Sequence, residues 1–400
     1  SYTNTETTER DKPYDSFGTT GGSFGNVDRD TTSETIALKY NYNPLTNDLI
    51  NLDVIYSYAN QEIDQTCIVG SGPFGCFATV DADHQYETSK LTVKNSAFIE
   101  AGVLTHDIRA GLEYILKERL DASSAPGGED NRYAFFVVDN IEFGGGWSFT
   151  PALRFETSEV EGVLDDGSNA SYDNDALMGG ASLRYEFDNG IALFGSYAYT
   201  ESLPILDDLE NETYMTQPEI GETVEIGGSY DRIGVFGRDD SLSIKANFYR
   251  TDLEDNTSYS GVDSVELSGL ELEGSYARRD GTYVDVNANI IDGEQTNTTG
   301  TKSDWRNLTA DSMRVTLGKR FSPLADLSTE FVAAADDEIN DRPGYVTVNL
   351  RATITPQEGV LEGTSFRFGI ENALDMNYMP ALATRTAAGR NIKFTVSKSF

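Results

Sequence analysis

The chain has 400 residues, 66 of them Asp or Glu and 30 Lys or Arg, for a formal charge of −36 at pH 7. With no basic patch and a field that repels phosphate, nucleic-acid binding is excluded, because it requires cations that displace phosphate counterions. The 20 Phe and 21 Tyr are too much aromatic surface for a chain that never packs, and no run of about 18 apolar residues exists to cross a bilayer as a helix.

Residues 1–32 are polar throughout and rich in Gly, Ser and Thr. They lack the basic segment followed by an apolar stretch that marks a secretory leader. They read as an extracellular loop, and the missing initiator Met reads as a portion of a longer protein. From residue 33 onward the dominant signal is period two. In INLDVIYSY, Ile50, Leu52, Val54, Tyr56 and Tyr58 share one face, with Asn51, Asp53, Ile55 and Ser57 on the other. Ile108, Ala110, Leu112, Tyr114 and Leu116 alternate with Asp107, Arg109, Gly111 and Glu113. The pattern returns at Trp147–Phe155, at Leu242–Phe248 and at Ile392–Phe400. Alternation over about ten residues exceeds an ordinary strand of about 5–6. It matches a tilted strand crossing a bilayer, which needs roughly 9–11.

On this basis about 17 strands are expected: near 33–43, 49–62, 86–98, 104–118, 131–143, 147–158, 175–187, 191–202, 221–233, 239–252, 264–278, 282–292, 310–320, 326–336, 345–356, 364–373 and 390–400. Ile50, Leu112, Leu153, Ile244, Val286 and Phe394 are expected to face lipid, and Arg154, Arg184, Lys245 and Arg367 to face inward. Short connections (43–48, 143–147, 188–190, 278–282, 322–326) alternate with long polar ones (63–85, 119–130, 159–174, 203–220, 253–263, 294–309, 374–389). Short turns on one side and long loops on the other are the pattern of an outer-membrane barrel. A soluble propeller or sandwich also alternates. Against it stand polar residues along a whole strand face (Asp285, Asn287, Asn289), aromatics near strand ends such as Tyr197, Tyr199, Phe248 and Tyr249, and no repeat of about 40–50 residues. The fold class is all-β, a large antiparallel transmembrane barrel over 33–400.

The two cysteines, Cys67 and Cys76, bracket a Gly- and Pro-containing turn. Such a pair suggests one disulfide and an oxidising compartment; with no His beside them they do not complete a zinc site. No catalytic constellation is present, so no enzyme activity, cofactor or resident metal is expected. His106 starts a strand beside a short turn and reads as solvated. His84 reads as a loop residue, with axial ligation of haem iron as the sharper alternative. The acid pairs, such as Asp165/Asp166 and Asp207/Asp208, read as solvated loops.

The C-terminal segment SFRFGIENALDMNYMPALATRTAAGRNIKFTVSKSF resembles the closing pattern of the TonB-dependent outer-membrane receptors. There a strand runs into an N-L-x-D-x-x-Y element, matched by Asn372, Ala373, Leu374, Asp375 and Tyr378. A loop follows, then Gly389, Arg390 and Asn391 open the last strand, and Phe400 resembles the assembly signal that closes such barrels. Upstream, RYAFFVVDNIEFGGGWSFTPALRFE, ALMGGASLRYEFDNGIALFGSYAYTESLP, QPEIGETVEIGGSY, SLSIKANFYRTDLEDN and VELSGLELEGSY resemble further family elements in the family's order. The resemblance covers roughly 86–400.

It implies a plugged barrel of roughly 22 strands, of which this chain holds the last 17 or so, the plug and first strands being missing. It implies import of an iron chelate across the Gram-negative outer membrane by energy-coupled plug movement. The partners would be TonB, acting through the missing N-terminal region, together with outer-membrane lipid, lipopolysaccharide and the cargo. Haem receptors of the family resemble one another in a His between two of these elements. Here that stretch, TESLPILDDLENETYMTQPE, has none, and Tyr214 and Met215 stand in it. The missing His favours a ferric siderophore, with haem next. Candidate cargo residues are His84, Tyr214, Met215, Trp305, Arg306 and Arg385, with Arg390 also available. The alternative is a passive porin or adhesin-type barrel without a plug.

Overall fold

The computed structural model describes residues 1–14, 25–71, 83–122, 127–164, 166–257, 261–383 and 386–398. Within them nineteen strands make one antiparallel sheet. They are β1 (Tyr2–Pro13), β2 (Asn26–Tyr42), β3 (Asn51–Cys67), β4 (His84–Ala101), β5 (Leu104–Ala122), β6 (Gly128–Gly144), β7 (Trp147–Val163), β8 (Asn169–Glu186), β9 (Ile191–Ser202), β10 (Glu219–Ile233), β11 (Ser241–Glu254), β12 (Val262–Ala277), β13 (Thr282–Asn297), β14 (Lys302–Asp304), β15 (Ser312–Ser322), β16 (Ala325–Ala334), β17 (Tyr345–Ile354), β18 (Thr364–Glu371) and β19 (Asn391–Lys398). Each stretch of alternation from residue 33 onward is a strand. Two strands were not legible. β14 is three residues long. β1 corrects the reading of 1–32 as loop: Thr and Glu alternate there with no apolar face, so hydrophobic periodicity is silent. Backbone pairing with β2, from Tyr2 opposite Ile36 to Pro13 opposite Asn26, makes it a strand.

The contacts divide the chain into two compact units. In the first (residues 1–183, 197–222 and 253–264), β1 to β7 pair each with the next. The register aligns Tyr40, Val54, Val93, Leu112, Phe135 and Phe155 in one rung across six strands. One residue along, the rung reads Lys39, Ile55, Thr92, Glu113, Ala134 and Glu156. Successive strand residues point to opposite faces, so these rungs belong to the two faces of the sheet. Their burial is inverted relative to a water-soluble protein. Tyr40 and Leu112 are 61% and 60% exposed, whereas Glu156 is 8% exposed. An apolar face left open while charges are buried is the arrangement lipid demands.

Strands of 17–19 residues (β2 to β8) exceed the roughly 9–11 needed to cross hydrocarbon. On β7 the open face runs Leu153 and Phe155, then Thr157, Glu159 and Glu161; on β5 it runs Leu112, Tyr114 and Leu116, then Glu118. Tyr114 and Tyr133, with centroids 5.0 Å apart, stand near this change from apolar to acidic, where amphipathic rings settle at an interface.

In the second unit (residues 184–196, 223–252 and 265–400), β13 pairs with β14 and β15, and β15 to β19 continue as a meander. Val284, Leu317, Thr329, Leu350, Ile370 and Ile392 form its rung on the open face. On the other face Glu330 is buried. It accepts from Arg351 Nη2 at 3.0 Å and Asn349 Nδ2 at 2.9 Å, with Arg314 Nε at 3.7 Å. Of the six positions expected to face lipid, Leu112, Leu153, Ile244 and Phe394 are exposed in mid-strand; Ile50 is exposed just before β3, and Val286 is half-buried on the apolar face.

These faces set a test. Leu112→Lys or Leu153→Arg should destabilise the folded barrel by roughly 2–4 kcal/mol, read as loss of the heat-modifiable folded band and a shift of refolding in lipid vesicles. Unchanged mobility and abundance would mean that this face does not meet lipid.

Candidate functional site

The connection between β9 and β10, residues 203–218, is folded onto the charged face of the first unit. It carries a 3-10 turn (Leu206–Asp208) and a one-turn helix, α1 (Glu212–Met215). Asn211 caps α1 by accepting from the backbone N–H of Thr213 and Tyr214 at 3.2 and 3.3 Å. Leu206, Leu209 and Met215 are buried together against Val160 of β7, flanked by Leu164, Ala170 and Tyr172. The strands are carved to receive them. A Cβ on Gly128 would come within 2.8 Å of Leu206 Cδ1, and one on Gly162 within 2.8 Å of Leu209 Cδ2. Glycine at both positions lets the leucines seat on bare backbone.

Polar ties complete the attachment. Arg132 Nη2 donates to the Pro204 carbonyl at 2.8 Å, and Asn174 Nδ2 donates to the Met215 carbonyl at 3.1 Å. Asp207 Oδ1 accepts from both Arg119 Nη1 (3.0 Å) and the Tyr86 hydroxyl (2.9 Å). Arg119 is buried, and the ammonium of Lys117 stands 5.1 Å over the Tyr86 ring. Burial, followed by the charge of Asp207, pushes the Asp208 carboxyl above its ordinary range.

From this loop a chain of ion pairs runs across the strands. Asp130 Oδ2 meets Arg132 Nη2 at 2.8 Å, and Asp130 Oδ1 accepts from the Ser158 hydroxyl at 3.0 Å. Arg132 Nη1 meets Glu156 Oε1 at 3.3 Å. Arg154 bridges Glu156 at 2.6 Å and Glu113 at 2.8 Å, and Lys90 closes the line on Glu113 at 2.7 Å. Three cations answer three carboxylates, so the line is charged at every step yet neutral in sum. Removing one member of such a half-buried network leaves a partner uncompensated, at a cost of roughly 3–5 kcal/mol for a fully buried pair. Among the described residues no group of three or more His, Cys, Asp or Glu could hold a metal ion. The arrangement is a rigid polar wall with an apolar-anchored loop upon it, which suits binding.

The family model described as "TonB dependent receptor-like, beta-barrel" matches residues 1–373. The chain belongs to that family. Its members are transport receptors of the Gram-negative outer membrane. "Heme/hemopexin utilization protein C" of Haemophilus influenzae is 25% identical over 210 residues, covering 46% of this chain and 29% of the relative. "TonB-dependent heme receptor A" of the same species is 21% identical over 469 aligned residues, covering 94% of this chain and 61% of the receptor. The solved structure of the Serratia marcescens hemophore receptor HasR, in complex with its hemophore HasA and heme, superposes with a TM-score of 0.75 at 15% identity. It covers 94% of this chain and 66% of HasR, so the chain spans less than two thirds of the length of each of these proteins.

Within this TonB-dependent receptor barrel, the residues singled out from sequence separate. Tyr214 and Met215 are neighbours in α1 with opposite environments. Met215 is fully buried in the leucine cluster, whereas Tyr214 is half-buried and its hydroxyl makes no hydrogen bond among the described residues. His84 opens β4 opposite Ile63 and Ala122, two residues from Tyr86. His106 sits near the start of β5 with Nδ1 2.8 Å from Asp139 Oδ2, and is therefore not a bare solvated His. Trp305 and Arg306 lie in the second unit. Trp305 is buried with its backbone N–H donating to the Gly293 carbonyl, and the Arg306 backbone N–H donates to Gln295 Oε1 at 3.3 Å. Asn372 and Asp375 are backbone ties: Asn372 exchanges two hydrogen bonds with Met376, and Asp375 accepts from the Arg390 N–H at 2.8 Å. Tyr378 stacks on Tyr345 at 4.2 Å. Cys67 is disulfide-bonded and packs with Val27 and Tyr14. Cys76, Arg385 and Phe400 lie outside the described residues. Of the ion-pair wall, sequence reading named only Arg154 as inward, with Glu113 placed on a polar strand face. The polar periodicity of β4 to β7 was visible, but the cross-strand register that joins it was not.

Two variants test the docking. Asp207→Ala removes both bonds to Arg119 and Tyr86, so amide exchange over 204–216 should accelerate while β4 to β7 stay protected. For Asp208 the raised carboxyl favours the protonated form when docked. Docking is then strongest below the unfolded carboxyl value of about 3.9 and weakens as pH rises through the higher docked value. Asp208→Asn should abolish that pH dependence, measured by exchange of the same amides from acid to neutral pH.

Proposed function

We propose that the chain is the barrel portion of an energy-coupled receptor that imports an iron chelate across the outer membrane, and that this chelate is haem. The observation that carries the cargo is the docked loop. It presents a phenol, Tyr214, that makes no hydrogen bond among the described residues, on a chain whose relatives are named for heme utilization and as a heme receptor. The preference for a siderophore rested on the missing His in 200–220. That preference weakens because a phenolate is itself an accepted haem ligand. Met215 is set aside, its sulfur being spent on the leucine cluster, and His84 is the second candidate. Lys117 lies toward the same end of β5 as the loop, where a cation would meet a haem propionate.

The remaining roles belong to the same reading. A plug would fill the lumen and bear on inward residues such as Arg154, and TonB would act through a region outside this sequence. Acidic strand ends such as Glu118, Glu159 and Glu161 would meet lipopolysaccharide through bridging divalent cations.

The test is a titration of the full-length receptor with haem, followed at the Soret band. A saturable shift is expected, weakened at least about tenfold, or about 1.4 kcal/mol, in Tyr214→Phe. Growth on haem as sole iron source should fall in parallel. Absence of any Soret change, with tight ferric-siderophore binding instead, would overturn haem and leave the receptor reading intact.

A further inference from the structure

At one end of the second unit, the turn between β10 and β11 (234–240) meets the turn between β12 and β13 (278–281). Phe236 packs edge-on against Tyr276, centroids 5.7 Å apart. Asp240 fixes the pair. Its Oδ1 accepts the Val235 N–H at 2.8 Å; its Oδ2 accepts the Phe236 N–H and the Tyr276 hydroxyl, each at 3.0 Å. A cleft of about 730 Å³ opens beside them, and Arg238, Arg278 and Arg279 complete its lining.

The acids in this cleft are committed, and the cations only in part. Asp240 is buried, and its oxygens are taken by two turn amides and the Tyr276 hydroxyl. Asp280 accepts the Thr282 N–H at 3.0 Å and pairs with Lys319 at 3.2 Å. The Thr282 amide and hydroxyl, then Lys319, hold its carboxyl down at about 2. By contrast, Arg238 makes no ion pair or side-chain hydrogen bond among the described residues. Arg278 reaches Asp280 only at 3.9 Å, and Arg279 spends one nitrogen on Asp239 at 3.0 Å. Three guanidiniums with spare donors converge in a chain whose net charge is −36. The flank is apolar: Phe236 is 76% exposed, and Tyr276 lies on the face of β12 that carries exposed Leu272. Cations and interfacial aromatics bordering an apolar strand face mark the headgroup level of a bilayer.

We infer that this cleft binds the phosphate of an anionic glycerophospholipid in the leaflet at the short turns, its acyl chains lying along the apolar face beside Leu272. Planar guanidiniums suit a phosphodiester because each can give two parallel hydrogen bonds. Phe236 and Tyr276 lie at the depth of the glycerol region. The occupant is a lipid, because the cations stand at the margin of a surface that must be covered by hydrocarbon.

The inference goes beyond the cargo reading, and its test is independent of haem. Delipidated full-length receptor is mixed with micelles containing phosphatidylglycerol or phosphatidylcholine, and retained lipid is counted by native mass spectrometry. Wild type should retain phosphatidylglycerol preferentially. The double variant Arg238→Gln/Arg278→Gln should retain at least about fivefold less, with folded gel mobility and haem titration unchanged. Lysine at both positions keeps the charge and should hold part of the lipid, which separates lost cations from lost fold. Equal retention by wild type and the Gln variant would overturn the proposal. So would equal retention of the two lipids, or displacement by millimolar inorganic phosphate (a free-anion site).

Discussion

A backbone that lies in hydrocarbon has only other backbone to bond to. Each peptide of a membrane-crossing strand must find its partner in the next strand. The long registers of β1 to β7 and of β13 to β19 are the form this takes here. Once the ladder is obligatory, side chains are sorted by face and by height alone. Leucines and aromatics fill the face toward lipid, and charge is confined to the opposite face and to the strand ends. The inversion of Leu112 outside and Glu156 inside follows from that single requirement.

The charged face poses its own problem, since carboxylates and guanidiniums there are shielded from bulk water. The protein answers with strict alternation. Lys90, Glu113, Arg154, Glu156, Arg132 and Asp130 are each flanked by opposite charge. Net stabilisation from such a line is modest, because desolvation offsets much of the attraction. Its value is geometric. Six side chains on four strands hold one another at fixed rotamers, and Arg132 carries that order into the loop through Pro204. The loop thus rests on a wall whose shape is set independently of it.

Sequence alone revealed the strands wherever apolar and polar residues alternate, as in β3, β5, β7 and β11. It missed β1, where Thr and Glu leave both faces polar and only hydrogen bonding decides. The closing motif was legible as residue types, yet the work of Asn372 and Asp375 is to tie the chain after β18 to the start of β19, which no spacing reveals. The loop 203–218 lies within a stretch, 203–220, that was read as a long polar connection. Its Leu206, Leu209 and Met215 were the available sign of an inward anchor, but the seat is made of glycines, and a missing side chain carries no signal about what will occupy its space. Likewise Tyr214 and Met215 were equivalent in sequence, and only the position of α1 distinguishes a buried thioether from an accessible phenol.

The order of the chain also bears on how the barrel comes together. Most pairings join neighbours in sequence across short turns, such as the two residues Gly102 and Val103 between β4 and β5. Hairpins of this kind close in microseconds and need no distant partner. The loop 203–218 is different: its bonds to Arg119 and Tyr86 span 88 and 121 residues. All of the strands that receive it precede it in the chain. Its docking therefore reports that β4 to β7 have reached their final register. A slip by one residue would turn Gly128, Gly162 and Arg119 away from it and leave three apolar side chains in water. The seat works as a proofreading step in folding as well as a support for binding.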